Sequence, residues 1–165
     1  SGGKVLQVIQ SVKTDTASTT ASAGTFEDIA GTDQAGVGSV FCVKITPVAA
    51  TSKILVSWDC QVGATQSNQK VIFKLFRNAV NPFLGDAAGS RVRASSTAIV
   101  AEVNGTDCNS GEYLDSPSLT SEITYKVQWS QEDAQTVYMN RAGTDTDNTA
   151  HQRLASTITV MEIGA

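Results

Sequence analysis

The sequence predicts an all-β protein, a two-sheet sandwich of about 8–10 antiparallel strands. Three observations carry this reading. Residues 53–62 and 122–130 alternate apolar and polar side chains with the two-residue period of a strand. Patterned runs recur along the chain between Gly-, Pro- or Asn-containing breaks, and no stretch shows the periodicity of a useful amphipathic helix. Ser and Thr together outnumber the 12 basic and 16 acidic residues, while 41% of the chain is hydrophobic, which suits a folded β protein better than a disordered one.

Ser1-Gly2-Gly3 lacks an initiator Met and reads as a flexible joint or the mark of a cut. Residues 5–13 form the first strand, with Leu6, Val8 and Val12 on one face and Val5, Gln7, Ile9 and Ser11 on the other. Apolar residues on both faces predict burial on both sides or a subunit contact. Residues 14–24 are a polar run without periodicity, expected as an exposed loop or a loosely held edge. A short strand at 25–29 and a glycine-containing loop at 31–38 follow. Residues 39–46 read as a strand stopped by Pro47, which has no N–H for a ladder.

In the run 53–62, Ile54, Val56, Trp58, Cys60 and Val62 share one face, and Ser57, Asp59 and Gln61 the other. This is a half-buried strand with Trp58 as its largest core side chain. After a turn at 63–69, residues 70–77 set Val71, Phe73 and Leu75 opposite Ile72, Lys74 and Phe76. Residues 78–86 read as a hairpin loop with a short return, and 91–103 as a strand of small and β-branched residues. Asn104-Gly105 is a tight turn, and residues 106–112 continue as loop. The strand at 122–130 turns Ile123, Tyr125, Val127 and Trp129 inward. Residues 136–141 are expected to pair back on it, and 142–153 form a loop of mostly Gly, Thr, Asp and Asn.

The last strand, 154–163, has no later partner, so its backbone groups must pair with something earlier, and the opening strand is the candidate. Ile158 and Val160 belong to the core. Thr159, Met161 and Ile163 face outward, where bare apolar side chains are costly unless a subunit contact covers them.

At 165 residues the chain is expected to form one domain, residues 1–165, with a sizeable core. A net charge of −4 and a pI near 4.9 argue against nucleic-acid binding, which needs a basic face. No window approaches the roughly 20 apolar residues of a membrane helix, and no basic segment followed by an apolar one opens the chain as a signal peptide would. Neither a nucleic-acid partner nor membrane insertion is expected. Cys42, Cys60 and Cys108 are an odd set, so at least one is free, and the apolar neighbours of Cys42 and Cys60 mark these two as buried free thiols, as suits a reducing compartment.

Candidate chemistry is sparse. Asp145, Asp147 and Asn148 resemble the start of a calcium loop, but the downstream bidentate Glu and the required Gly are missing. A solvated loop is expected there, with those three as the only metal candidates. His151 is the single histidine, and no Gly-x-Ser-x-Gly elbow accompanies it, so neither catalysis nor a cofactor is expected. Tyr125, Trp129 and Tyr138 read as packing residues of the core or a trimer axis, with Trp129 the one that could instead stack on a sugar. Glu162 points where apolar residues point. It is expected to reach solvent at the strand end, or to meet a Lys or Arg across a subunit contact.

The blocks Gly3-Lys4-Val5-Leu6-Gln7-Val8-Ile9-Gln10, Thr14-Asp15-Thr16, Ile45-Thr46-Pro47, Ser52-Lys53-Ile54-Leu55-Val56 and Ser156-Thr157-Ile158-Thr159-Val160-Met161-Glu162-Ile163 occur in this order. Their order and spacing resemble a domain of tailed phages, especially marine and cyanobacterial ones. It is found at the tips of tail fibres and in other virion structural proteins. The resemblance implies a jelly-roll sandwich assembling as a homotrimer, similar in outline to C1q and tumour-necrosis-factor-like domains, with first and last strands adjacent near the three-fold axis. Thr159, Met161 and Ile163 would then be trimer contacts. The implied location is the virion, and the implied partners are further copies of the chain, other virion proteins and a host surface glycan or protein. Loops would read the receptor, with Thr106, Asp107, Asn109, Trp129, Asp145, Asp147, His151 and Arg153 as contact candidates. A capsid decoration or head-fibre protein and a soluble carbohydrate-binding module are the alternative roles.

Overall fold

The structure, a computed structural model, describes residues 3–164, so Ser1 and Gly2 of the expected joint lie outside the described residues. The described residues form two packed antiparallel sheets and no helix. One sheet holds β1 (Lys4–Lys13), β2 (Ala17–Thr19), β5 (Lys53–Ala64), β8 (Asp107–Asp115), β10 (Val137–Met139) and β11 (Ser156–Gly164). The other holds β3 (Glu27–Asp28), β4 (Val43–Ile45), β6 (Gln69–Arg77), β7 (Ser96–Val100) and β9 (Ile123–Gln131).

The first sheet is organised on β5. Its one edge pairs with β11 and then, further along, with β10, and its other edge pairs with β8. β11 in turn pairs along its whole length with β1, from Lys4 opposite Gly164 to Lys13 opposite Ser156. The expected pairing of first and last strands is therefore present. In the second sheet β9 lies between β6 on one side and β3 and β4 on the other, and β7 follows β6.

Strict alternation translates into burial. Ile54, Val56, Trp58, Cys60 and Val62 of β5 meet Val71, Phe73 and Leu75 of β6 and Ile123, Tyr125, Val127 and Trp129 of β9 in one core, joined by Ile158 and Val160. Each such side chain contributes about 1.5–3 kcal/mol when removed from water. Gly111 of β8 sits opposite Trp58, where a Cβ would collide with the indole ring, so this inward position takes only glycine. Trp58 Nε1 donates to Asn109 Oδ1 at 2.9 Å, so its polar edge is satisfied inside the sandwich.

Several sequence expectations give way here. Of the loop expected at 106–112 only Thr106 is outside a strand: residues 107–112 make up most of β8, whose inward positions hold Asn109, Gly111, Tyr113 and Asp115 instead of an apolar run. Residues 14–24 are an edge rather than an exposed loop: β2 pairs with β10 at the end of the sheet, and Thr19 and Ala21 are buried. β10 does not return onto β9; it crosses to the other sheet and pairs with β5 and β2. The strand expected at 39–46 is regular only over Val43–Ile45, and that at 91–103 only over Ser96–Val100.

A bulge in β1 between Val5 and Gln7 resolves the two apolar faces of that strand. It places Val5 with Val8 and Val12 on the outer face, while Ile9 packs against the core.

Candidate functional site

The loop between β10 and β11 is tied at its base. Asn140, held at φ 62°, accepts from Leu154 N through its carbonyl and donates its amide to the carbonyls of Lys13 and Asp15. Gly143 N donates to Val103 O, and a Cβ on Gly143 would collide with the carbonyl of Ala64, so only glycine lets the loop lie this close to β5.

Above this base Asp145 is gripped by two guanidinium groups. Arg141 donates to it at 2.5 Å while lying 3.7 Å over the ring of Tyr138, and Arg153 donates at 2.8 and 2.9 Å. Asn148 forms a turn by accepting from Ala150 N and His151 N, and Thr146 Oγ1 lies 2.8 Å from His151 Nδ1. The result is a closed Ω-type loop whose tip is fixed by its own side chains. It encloses a cavity of about 300 Å³ lined by Asp145, Thr146, Asp147, Asn148, His151 and Arg153.

The loop thus brings together four of the contact candidates, Asp145, Asp147, His151 and Arg153, with Asn148. It does not make the candidate cation site: the Asp145 carboxylate is already paired with two arginines, and Asn148 Oδ1 is held by a backbone N–H. Among the described residues no group of three or more His, Cys, Asp or Glu is placed to hold a metal ion.

The remaining contact candidates are elsewhere, and two of them are structural. Asn109 is buried, accepting from Trp58 and Ser96. Trp129 is 1% exposed in the core, so it offers no face to a sugar. Asp107 caps the edge of β7 by accepting from Ile99 N at 3.1 Å, and Thr106 is exposed just before β8.

A second feature lies on the outer face of the β1–β11–β5–β8 sheet. The registers align Val8 with Met161, Met161 with Leu55, and Leu55 with Leu114, an apolar row across four strands. Val5 and Ile163 extend it on the next row. Val8 is 56% and Leu114 44% exposed, and Met161, Ile163 and Leu55 are half-buried. Thr159 belongs to the neighbouring row, aligned with Gln10 and Ser57. Towards the other end the face turns polar, with a shallow depression lined by Ser57, Asp59, Ser110, Glu112 and Thr157. Cys108, exposed beside it, has its thiol pushed up to about 11 by partial burial and by the Asp59 carboxylate, so it is protonated at neutral pH. Residue-by-residue alternation picked out Met161 and Ile163 but not Leu55 or Leu114, because only the strand registers bring them into line.

Glu162 departs from both expectations for it. It is fully buried, accepts from Gln7 Nε2 at 2.6 Å and Val48 N at 2.7 Å, and meets no Lys or Arg among the described residues. Burial pushes its carboxyl up, but Ser52, Gln7 and the N–H groups of Val48 and Ala49 outweigh this and hold it below the usual carboxylate range. A depressed folded value means that the carboxylate adds stability above its unfolded value of 4.5, and this is lost as pH falls through the folded value. Glu162→Gln should cost about 1–2 kcal/mol at pH 7. Urea midpoints of wild type and variant should converge as pH falls through the depressed folded value, and stay apart above 4.5.

Comparison with protein-family models and with curated proteins gives no match.

Proposed function

We propose that this chain is a non-enzymatic structural domain of a tailed-phage virion, a jelly-roll that assembles as a homotrimer and contacts the host surface at a tail-fibre tip. The observation that carries it is the apolar row Val8–Met161–Leu55–Leu114 with Val5 and Ile163. A sheet face of this kind is costly in water, and subunit association removes the cost. Three copies packed on this face would bring first and last strands to the axis, as the sequence resemblance implies.

Strand order supports the jelly-roll reading. With the short β2, β3 and β10 set aside, the sheets run β1-β11-β5-β8 and β4-β9-β6-β7. This is the order of two interlocked Greek keys. The Ω loop stands at the end of the sandwich where β11 begins, free to meet a surface.

Two measurements test the proposal. Light scattering on the eluting protein should give three times the 17.3 kDa chain mass; a monomer overturns the trimer. Fluorescent protein should decorate cells in a panel of marine bacteria and cyanobacteria. Binding to purified capsids with no binding to any cell overturns the fibre-tip role in favour of capsid decoration.

A further inference from the structure

Building on that host-contact reading, we propose that the Ω-loop cavity binds a single neutral, hydroxyl-rich sugar ring of a surface glycan. The argument begins with what is left free. Arg141 and Arg153 share Asp145, but Asp147 makes no hydrogen bond or ion pair among the described residues, so the cavity presents an uncommitted carboxylate. Opposite in character are the donors. When the Thr146 hydroxyl donates to His151 Nδ1, the imidazole proton sits on Nε2. Arg153 uses one of its nitrogens on Asp145, which leaves the others of its fork for a ligand, and the Asn148 amide nitrogen is likewise uncommitted.

A carboxylate acceptor beside imidazole, guanidinium and amide donors suits adjacent hydroxyl groups, each of which can donate to one and accept from the other. Charge narrows the class. Two arginines and two aspartates cancel locally, so an anionic sugar would meet Asp147 and a cationic ligand would meet the guanidinium groups. Size and lining narrow it further. A cavity of about 300 Å³ is at the small end of ligand pockets, enough for one ring. Its six lining residues are all polar and include no Phe, Tyr or Trp, and the Tyr138 ring at the loop's base is covered by Arg141, so no apolar anchor is offered. The loop is already held in shape by its base and its internal bonds, so binding orders little new chain. Affinity per site should be millimolar, and three sites on one trimer would raise it at a glycan-coated surface by avidity.

The test is an NMR titration of the whole protein with the methyl glycosides of glucose, mannose and galactose, and with N-acetylneuraminic acid. At least one neutral glycoside should shift the His151 ring and Asn148 amide resonances at millimolar concentration, with N-acetylneuraminic acid at least tenfold weaker. Asp147→Ala and His151→Ala should each abolish the shifts while the remaining amide spectrum is unchanged. Silence with all three neutral sugars, equal binding of the acidic one, or shifts that survive Asp147→Ala would overturn the assignment. Cell decoration that persists in Asp147→Ala overturns this pocket and leaves host contact standing. Failure of the wild type to decorate cells counts against host contact, and the titration then still decides the pocket.

Discussion

Met161→Asp is expected to turn the proposed trimer into folded monomers. Met161 lies at the middle of the apolar row, flanked by Val8 and Leu55, and its side chain points away from the sandwich core. A single copy keeps the new carboxylate in water, so its fold should change by less than about 0.5 kcal/mol. In the trimer three uncompensated carboxylates would be buried, each at a cost of about 3 kcal/mol. That weakens association on the order of a millionfold. Sedimentation velocity at low micromolar concentration reads the outcome, with an unchanged thermal melt of the monomer as the control. A variant that stays trimeric would show that the seam lies on another face.

Asp115→Ala should produce the largest loss of subunit stability. Asp115 is buried on β8 and receives both Arg77 Nη1, at 2.9 and 3.0 Å to its two oxygens, and the Tyr125 hydroxyl at 2.7 Å. These three residues come from β8, β6 and β9, so they tie one sheet to the other. Burial, and then Asp115 itself, raise the Tyr125 hydroxyl far above its ordinary value, so it remains a donor. Removing the carboxylate leaves a guanidinium and a phenol without their acceptor. Arg77 is 21% exposed, which places the expected cost near the lower end for buried pairs, about 3 kcal/mol, or roughly 6–12 °C in melting temperature. Tyr125→Phe, which keeps the ion pair, should cost only about 1 kcal/mol. Equal losses in the two variants would mean that the ion pair contributes nothing beyond the phenol contact.

Alternation made the long strands legible. β5, β9 and β11 each bury one apolar face, so period-two patterning located them and even sorted their inward residues. β8 was hidden because its inward face is Asn109, Gly111, Tyr113 and Asp115, two of them polar groups satisfied by partners on other strands and one a glycine making room for Trp58. Hydropathy does not register a buried polar residue whose partner is distant in the chain. Glu162 was misread for the same reason, since its donors Gln7 and Val48 lie 155 and 114 residues away along the chain. β10 was misplaced because three residues carry too little pattern to choose between two sheets. Of the site, the loop 142–153 and its polar residues could be read directly. The double clamp on Asp145 could not, because nothing in the spacing distinguishes a carboxylate held by two arginines from one awaiting a cation.

The pairing of β1 with β11 also has a mechanical side. Lys4 and Gly164 are neighbours at one end of the ladder, and Lys13 and Ser156, next to the Ω loop, are neighbours at the other. A pull that separates the two chain ends would open this ladder one hydrogen bond at a time, like a zip. A pull between the Lys4 end and the loop runs along the strands instead, so every bond of the ladder shares the load in shear. A domain anchored at one end and gripping at the other is therefore strained along its resistant direction.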